Sequence, residues 1–420
     1  MTRQRGFLFG AWLLLALTTI VGPTPVRDAE TWRGASDASL AFPWAYTVLS
    51  PFCSILDALT LLSLRQHAAL LITIGVCVIV WRVVRARRRG TSFARELGIA
   101  LASLGAVLVV YAVGALVPRP MAALRVNDRG DVLVDFHSHT NHSWDGRKWF
   151  TTARNRAWHT AAGFNAAYVS DHKSTAGALE GMAANAPRWI DARETLLLPS
   201  LESRDHYQHV NMYGLDPHAP VDAKGEWHDP PPPADGAPAP FLMLTIPGNI
   251  RTLPDNEVHG VARVLAIELS DAAPKGLNMM QRESDAILHL ADSLDLAVVA
   301  GSDNHGWGST AAGWTVMNIP GWKVMSATRL DSAIQAKIRT ERRHAARVYV
   351  RDTPNPGSST LALVFTVPAV IWRVLVDLDP FQRLSWLGWI AVIAWIASVP
   401  SSRAARVNTP PAPRTKSENA

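Results

Sequence analysis

Asp131-Val-Leu-Val-Asp-Phe-His137-Ser-His139 is a short apolar run that ends in two histidines one residue apart. In a strand, side chains two apart share a face, so His137 and His139 can converge on one ion from a strand's end. The pattern recurs along the chain. Tyr168-Val-Ser-Asp171-His172 puts a polar pair after another apolar run, and Leu196-Leu-Leu-Pro-Ser-Leu-Glu202 leads a carboxylate out of a third. Asp205-His206-Tyr-Gln-His209 follows. Val298-Val-Ala-Gly-Ser-Asp303-Asn-His305 again sets Asp and His two apart, and Asp145, in Trp144-Asp145-Gly146, lies in the loop after the first run.

Strands are expected at residues 132–136, 166–169, 195–198, 210–213, 242–246, 264–269 and 297–300, with helices at 284–293 and 327–346. Strands alternating with helices favour a parallel α/β domain, barrel-like or doubly wound. In an α/β barrel the strand ends converge, so ligands distant in sequence become neighbours. The proline run 229–240 suits neither helix nor central strand and reads as a surface insertion. No internal repeat is found.

The order Asp-Phe-His-Ser-His-Thr, Trp-Asp-Gly, Ser-Asp-His, Leu-Glu with a His-Val strand, and Gly-Ser-Asp-Asn-His resembles the PHP (polymerase and histidinol phosphatase) family of metal-dependent phosphoesterases. The resemblance runs from Asp131 to Gly308. It implies a distorted (β/α)7 barrel with up to three metals at the C-terminal ends of its strands. It also implies that His137, His139, Glu202 and Asp303 hold a first metal, and that Glu202 bridges to a second, bound by His209. Asp145, His172 and His305 would hold the third. The family has one more His before a Pro-Gly on the second metal, where this chain has Ile246. Isoleucine cannot ligate, which leaves that metal to a water, to His206 or to His259.

Charge dictates the chemistry. Three divalent cations against Asp145, Glu202 and Asp303 leave a positive pocket suited to a phosphate oxyanion. Paired metals lower the pKa of a bridging water from about 16 towards neutrality and clamp the charge that develops during in-line attack. Imidazole with carboxylate suits Mn, Fe or Zn. Asp171 reads equally as a carboxylate orienting a ligand or as a helix N-cap. His142 and His206 read as exposed or supporting residues. His159, His218, His228, His289 and His344 sit in no motif and read as surface or helix histidines.

The 420 residues are 48% hydrophobic and 18% charged, with apolar residues concentrated before about residue 117 and after about 360. The net charge is +6, and much of the basic excess flanks apolar segments: Arg82, Arg85, Arg87, Arg88 and Arg89, then Arg403, Arg406, Arg414 and Lys416. That placement fits a membrane boundary better than nucleic acid. Cys53 and Cys77 both lie in apolar segments, so neither a disulfide framework nor a cysteine zinc site fits the middle region.

A membrane span needs about 20 apolar residues. Stretches 6–22, 68–84, 97–117 and 384–400 meet that requirement; 45–64 carries Pro51 and Asp57, and 361–378 carries Pro368, Arg373 and Asp377. Four spans put the middle domain outside, with the arginine cluster in the cytoplasm; six put the domain inside and the arginines on the wrong face. The expected organisation is a transmembrane region at 1–117, a PHP-like domain at 118–355, membrane segments at 356–400 and a disordered tail at 401–420. The leading function is a membrane-anchored, extracytoplasmic phosphoesterase acting on a phosphate monoester or diester. Alternatives are a metal- and anion-binding sensor without turnover, and a transporter or assembly factor with a regulatory barrel.

Overall fold

A strand covered on both faces must lie inside a layered domain, and the stretch Asp131–Ser138 is buried at every position. The structure, a computed structural model, describes residues 3–205, 208–218, 238–245, 264–353 and 359–398; the side chains of 3–5, 7, 115, 116, 204, 205, 208 and 397 are not described. In chain order the strands begin with β1 (Val26–Asp28), β2 (Ala38–Ala41), β3 (Ala123–Val126), β4 (Asp131–Ser138), β5 (Ala166–Val169), β6 (Leu196–Pro199) and β7 (Leu201–Asp205). They continue with β8 (Gln208–Tyr213), β9 (Phe241–Leu244), β10 (Val264–Asp271), β11 (Ala297–Gly301), β12 (Gly313–Asn318) and β13 (Arg347–Arg351).

Helices α1 (Arg3–Leu17), α2 (Trp44–Val48), α3 (Ser50–Thr60), α4 (Leu64–Arg89) and α5 (Phe93–Leu116) precede β3. Among the later strands lie α6 (Thr152–Ala162), α7 (Ala176–Ala183), α8 (Trp189–Ala192), α9 (Pro274–Leu294) and α10 (Ala327–Glu341). After β13 come α11 (Thr366–Val376) and α12 (Pro380–Ser398). The mixed α/β class is as expected. Helix α9 starts earlier than expected because Pro274 occupies its first turn, where a missing N–H costs nothing.

Among the described residues the hydrogen bonds draw two large sheets and a small one, the β2-β3 pair, and they do not close the distorted (β/α)7 barrel expected. One large sheet has the order β1-β13-β12-β4-β5-β6, with β4, β5 and β6 parallel; the other has β11-β10-β9-β8-β7, with β9, β10 and β11 parallel. The chain leaves β6 at Pro199, which has no N–H to extend a ladder, and enters β7 after Ser200. Isolated bridges, Ser138 to Asn304 and His172 to Glu202, join the two large sheets at their strand ends. Val132, Val134 and Phe136 pack into one core with Tyr168, Leu198 and Val299, while Leu133 faces Trp158 and Trp314 on the other side. Residues 229–237 of the proline insertion, Ile246, His206, His228, His259 and the tail after residue 398 lie outside the described residues.

Among the described residues two helices are long and apolar enough to cross a membrane, α4 and the Phe93–Gly114 part of α5. They form an antiparallel hairpin: His67 meets Tyr111 at one end, Gly75 meets Leu104 in the middle, and Arg82 pairs with Glu96 at 3.2 Å near the other. Residues 45–64 are no single span, since α2 and α3 break there; α11 is likewise short. Helix α1 is helical only to Leu17, and Arg383 of α12 ties it down through the carbonyls of Leu15 and Thr18.

Asp57 of α3, the charge that made its segment ambiguous, joins these helices to the sheets. Its carboxylate is buried and pairs with Arg119 at 2.8 Å and with Arg351 of β13 at 2.7 Å. Tyr46 and Thr310 donate to the same carboxylate at 2.8 and 2.7 Å. Removing one partner of a buried pair strands the other charge. Asp57→Ala should therefore lower unfolding stability by about 3 kcal/mol or more, measured as a shift in the denaturation midpoint of the detergent-solubilised chain.

Candidate metal centre

His137 and His139 leave the end of β4 as expected. The loop after β11 is stitched onto that end: the amides of Ser302 and Asp303 donate to the His137 carbonyl at 3.0 and 2.8 Å, and the amide of His139 donates to the Asn304 carbonyl at 3.1 Å. Asp303 itself has a φ of +44°, a strained conformation for a residue with a Cβ and one that concentrates at functional sites. Gly301 is needed for close approach. A Cβ there would fall onto the Glu268 carboxylate and the His137 side chain.

Nε2 of His137 lies 2.9 Å from Glu202 Oε2, 3.1 Å from His139 Nε2 and 3.5 Å from Asp303 Oδ1. His139 Nε2 is 3.2 Å from both carboxylates. His172 Nε2 lies 3.3 Å from Glu202 and 3.6 Å from Asp145, which also lies 3.3 Å from His305 Nε2 and accepts from the Ser143 hydroxyl at 2.6 Å. His209 Nδ1 is 2.7 Å from Glu202 Oε1. These side chains form three overlapping groups, each with donor atoms within 4.8 Å of one another: His137, His139, Glu202 and Asp303; His139, Asp145, His172 and His305; His172, Glu202 and His209. All eight residues singled out in the sequence belong to them.

The donor chemistry fits divalent cations. Lone-pair atoms crowd together in a partly buried volume, where protons or cations relieve them. A neutral His137 that donates from Nδ1 to Glu268, 3.2 Å away, presents its Nε2 lone pair to the cluster. The charges respond as this crowding requires. Burial would push the His137 pKa down, but Glu202, Glu268 and Asp303 drive it well above its ordinary value. His139, opposed by the same burial, rises to about 9 through Asp303 and Glu202. For His172 burial prevails and takes it down to about 4. Glu202, despite burial, is held well below the usual carboxylate range by His137 and His139.

Glu268, Asp135 and His159 escaped the sequence reading. Glu268 ends the apolar run of β10 just as Glu202 follows that of β6, so the strand-end rule would have found it. Asp135 shares a strand face with His137; its Oδ1 accepts from the amides of His137 and Ser302 at 3.0 and 2.9 Å. His159, expected to be an ordinary surface or helix histidine, is instead fully buried and bonded to Asp135 at 2.6 Å. Asp171 is not the N-cap of α7, a position held by Thr175; it accepts from the amide and hydroxyl of Thr140, fixing the loop beside His139. His142 pairs with Glu180 at the surface, and His218, His289 and His344 are exposed.

No family model matches the chain, and no curated protein does. Solved structures similar to it include PsfC from Pseudomonas syringae, at 18% identity and a TM-score of 0.35 over 58% of this chain and 98% of that one. A protein assigned as a metal-dependent phosphoesterase from Bifidobacterium adolescentis has 16% identity and a TM-score of 0.29, over 42% of this chain and 88% of that one. An amidohydrolase from Chromobacterium violaceum, with bound sulfate and no metal, has 14% identity and a TM-score of 0.29, over 48% and 96%. At such scores these likenesses do not decide an activity, and the reading rests on the side chains.

Two outcomes follow from this geometry. Glu268→Gln should weaken manganese binding about 10- to 100-fold, as loss of a carboxylate behind a ligating histidine does; titration calorimetry reads this directly. In metal-free protein the raised pKa of His139, about 9 against an ordinary 6.5, gives stability that is complete below pH 6.5 and lost as pH rises through 9. Its thermal midpoint should fall across that window. Added manganese should reverse the trend, because ligands must shed their protons to bind it.

Proposed function

We propose that the chain is a membrane-held, metal-dependent phosphoesterase of PHP type, hydrolysing a phosphate monoester or diester. The observation that supports it most is the convergence of His137, His139, Glu202 and Asp303 on one buried point. On this reading the two large sheets are halves of a distorted (β/α)7 barrel whose strand ends carry the site. Two or three divalent ions, Mn, Fe or Zn, would supply Lewis acidity and a more acidic water.

The chain's own groups set the rest. With three such ions, Asp145, Glu202, Asp303 and Glu268 cancel only part of the charge, so an anionic ester is drawn in; Glu268 also orients His137. Arg147 lies at the rim with its guanidinium over the Trp307 ring and its amide donating to the His305 carbonyl at 3.3 Å. It is placed to meet a phosphate oxygen arriving from that side. Asp135, locked by His159, keeps β4 and the loop after β11 in register, which holds His137 and Asp303 together.

The bilayer is the other partner. Arg87, Arg88 and Arg89 end α4, about 30 Å along the helix axis from His67 at 1.5 Å per residue. Basic residues favour the cytoplasmic side, so with α4 and α5 crossing, the sheets lie outside the cytoplasm. Helices α1 and α12 would add to the same membrane bundle. A second reading, metal and anion binding without turnover, is favoured by Ile246 in place of an expected ligand.

The test is metal content and turnover together. The purified full chain should carry two or three metals by elemental analysis and hydrolyse p-nitrophenyl phosphate or its bis ester with manganese. His137→Ala should cut the rate about 100-fold or more, as loss of a metal that polarises phosphate and water would. Tight metal binding with no turnover of either ester favours the sensor; absence of metal removes both readings.

A further inference from the structure

A cavity of about 370 Å³ separates the metal-ligand cluster from the apolar hairpin, a size within the ~300–1,000 Å³ range of small-molecule pockets. One wall is Asp303 and His305. The opposite wall is Leu56 and Leu59 of α3 with Tyr111 and Gly114 of α5. The two sides differ in chemistry: candidate cation ligands on one, and on the other the leucines of α3 beside Tyr111 and Gly114 of α5, a helix long and apolar enough to cross a bilayer, with Thr60 and His67 also in the lining. The wall is built for close approach, since a Cβ at Gly114 would lie only 2.6 Å from Leu56 Cδ2. The Tyr111 hydroxyl is buried and has no hydrogen-bond partner among the described residues.

We propose that this cavity takes the acyl chain of a lipid phosphate ester, with the phosphate at the cluster and the chain running past Tyr111 towards the bilayer. This rests on the phosphoesterase reading and names its substrate class. A water-soluble ester would leave the Leu56 and Leu59 wall uncovered. A lipid fills it, and a glycerol or ester oxygen can accept from the Tyr111 hydroxyl. The outer faces of the same hairpin, at Ile72, Val76, Leu108 and Val109, are exposed hydrocarbon, so such a lipid reaches the cavity by moving along helices that already contact its neighbours. In hydrolysis the oxygen of water forms the new P–O bond, the bond to the lipid alcohol breaks, and one proton of the water ends on that alcohol.

The experiment uses the full chain, loaded with manganese in nanodiscs, and a phosphatidic acid with a diazirine midway along one acyl chain. After irradiation, adducts mapped by mass spectrometry should fall on residues 56–60 or 111–114. Excess dioleoyl phosphatidic acid should remove them and diolein should not, and Leu59→Trp should reduce them. Dioleoyl phosphatidic acid should also be hydrolysed with a kcat/KM at least about tenfold above that of glycerol phosphate, a discrimination one methylene can already give in an apolar pocket. Adducts confined to the outward faces of α4 and α5, in the parent chain, overturn the proposal. So does equal turnover of the two esters, which would leave the phosphoesterase reading standing. Cavity adducts without turnover of either ester support the lipid site and overturn the hydrolysis.

Discussion

Two imidazole nitrogens and two carboxylate oxygens within 4.8 Å of one another, largely removed from water, repel unless positive charge sits among them. Much of the domain is organised around that constraint. It explains why the ends of β4 and β11 are sewn together by backbone hydrogen bonds to the His137 carbonyl, and why Asp303 keeps an unfavourable φ. It explains, too, why a glycine precedes Ser302, where any side chain would displace Glu268. Behind the ligands stand Asp135 with His159 and Asp171 with Thr140, buried polar pairs whose hydrogen bonds are satisfied within the protein. Such support fixes the orientation of the side chains in front of it.

A second buried charge holds the two chemical halves of the chain together. Apolar helices and a polar strand-end site have little in common to pack against. Asp57 solves this by accepting two guanidinium groups and two hydroxyls from α2, the loop after α5, the loop after β11 and β13. The cavity described above lies beside that junction, and Thr60 and Thr310 line it as well as bonding to each other at 2.9 Å. The position of the hydrocarbon wall relative to the ligands is thus set by a salt bridge and not by loose contact between greasy surfaces.

How much of this the sequence disclosed depended on range. Local patterns were readable: seven short apolar runs became β4, β5, β6, β8, β9, β10 and β11, and the eight residues proposed as ligands lie in the three candidate groups. What failed needed knowledge of partners far along the chain. Strands β12 and β13 follow no polar motif and are recruited by antiparallel pairing with β4 and with each other. His159 lies in a helix with no motif, and its importance arises only when α6 packs onto β4. Asp57 looked like a flaw in a membrane segment because its arginines, at 119 and 351, were invisible from its neighbourhood. The division into separate sheets was equally hidden, since it depends on which strands far apart in the chain pair with one another.

Strand β1 contributes three residues, yet its position at the rim of the six-stranded sheet has a practical edge. It pairs Val26, Arg27 and Asp28 with β13, and Arg27 reaches Asp352 at 3.1 Å. A fragment beginning after α5 would lack this strand and bare the flank of β13, with Val348, Tyr349 and Val350 beside unpaired amides. Open flanks of that kind recruit other chains. The half that carries the candidate site is therefore not a detachable cassette: its outermost strand is encoded on the far side of two membrane-length helices, and a cut after α5 would leave the edge of β13 open.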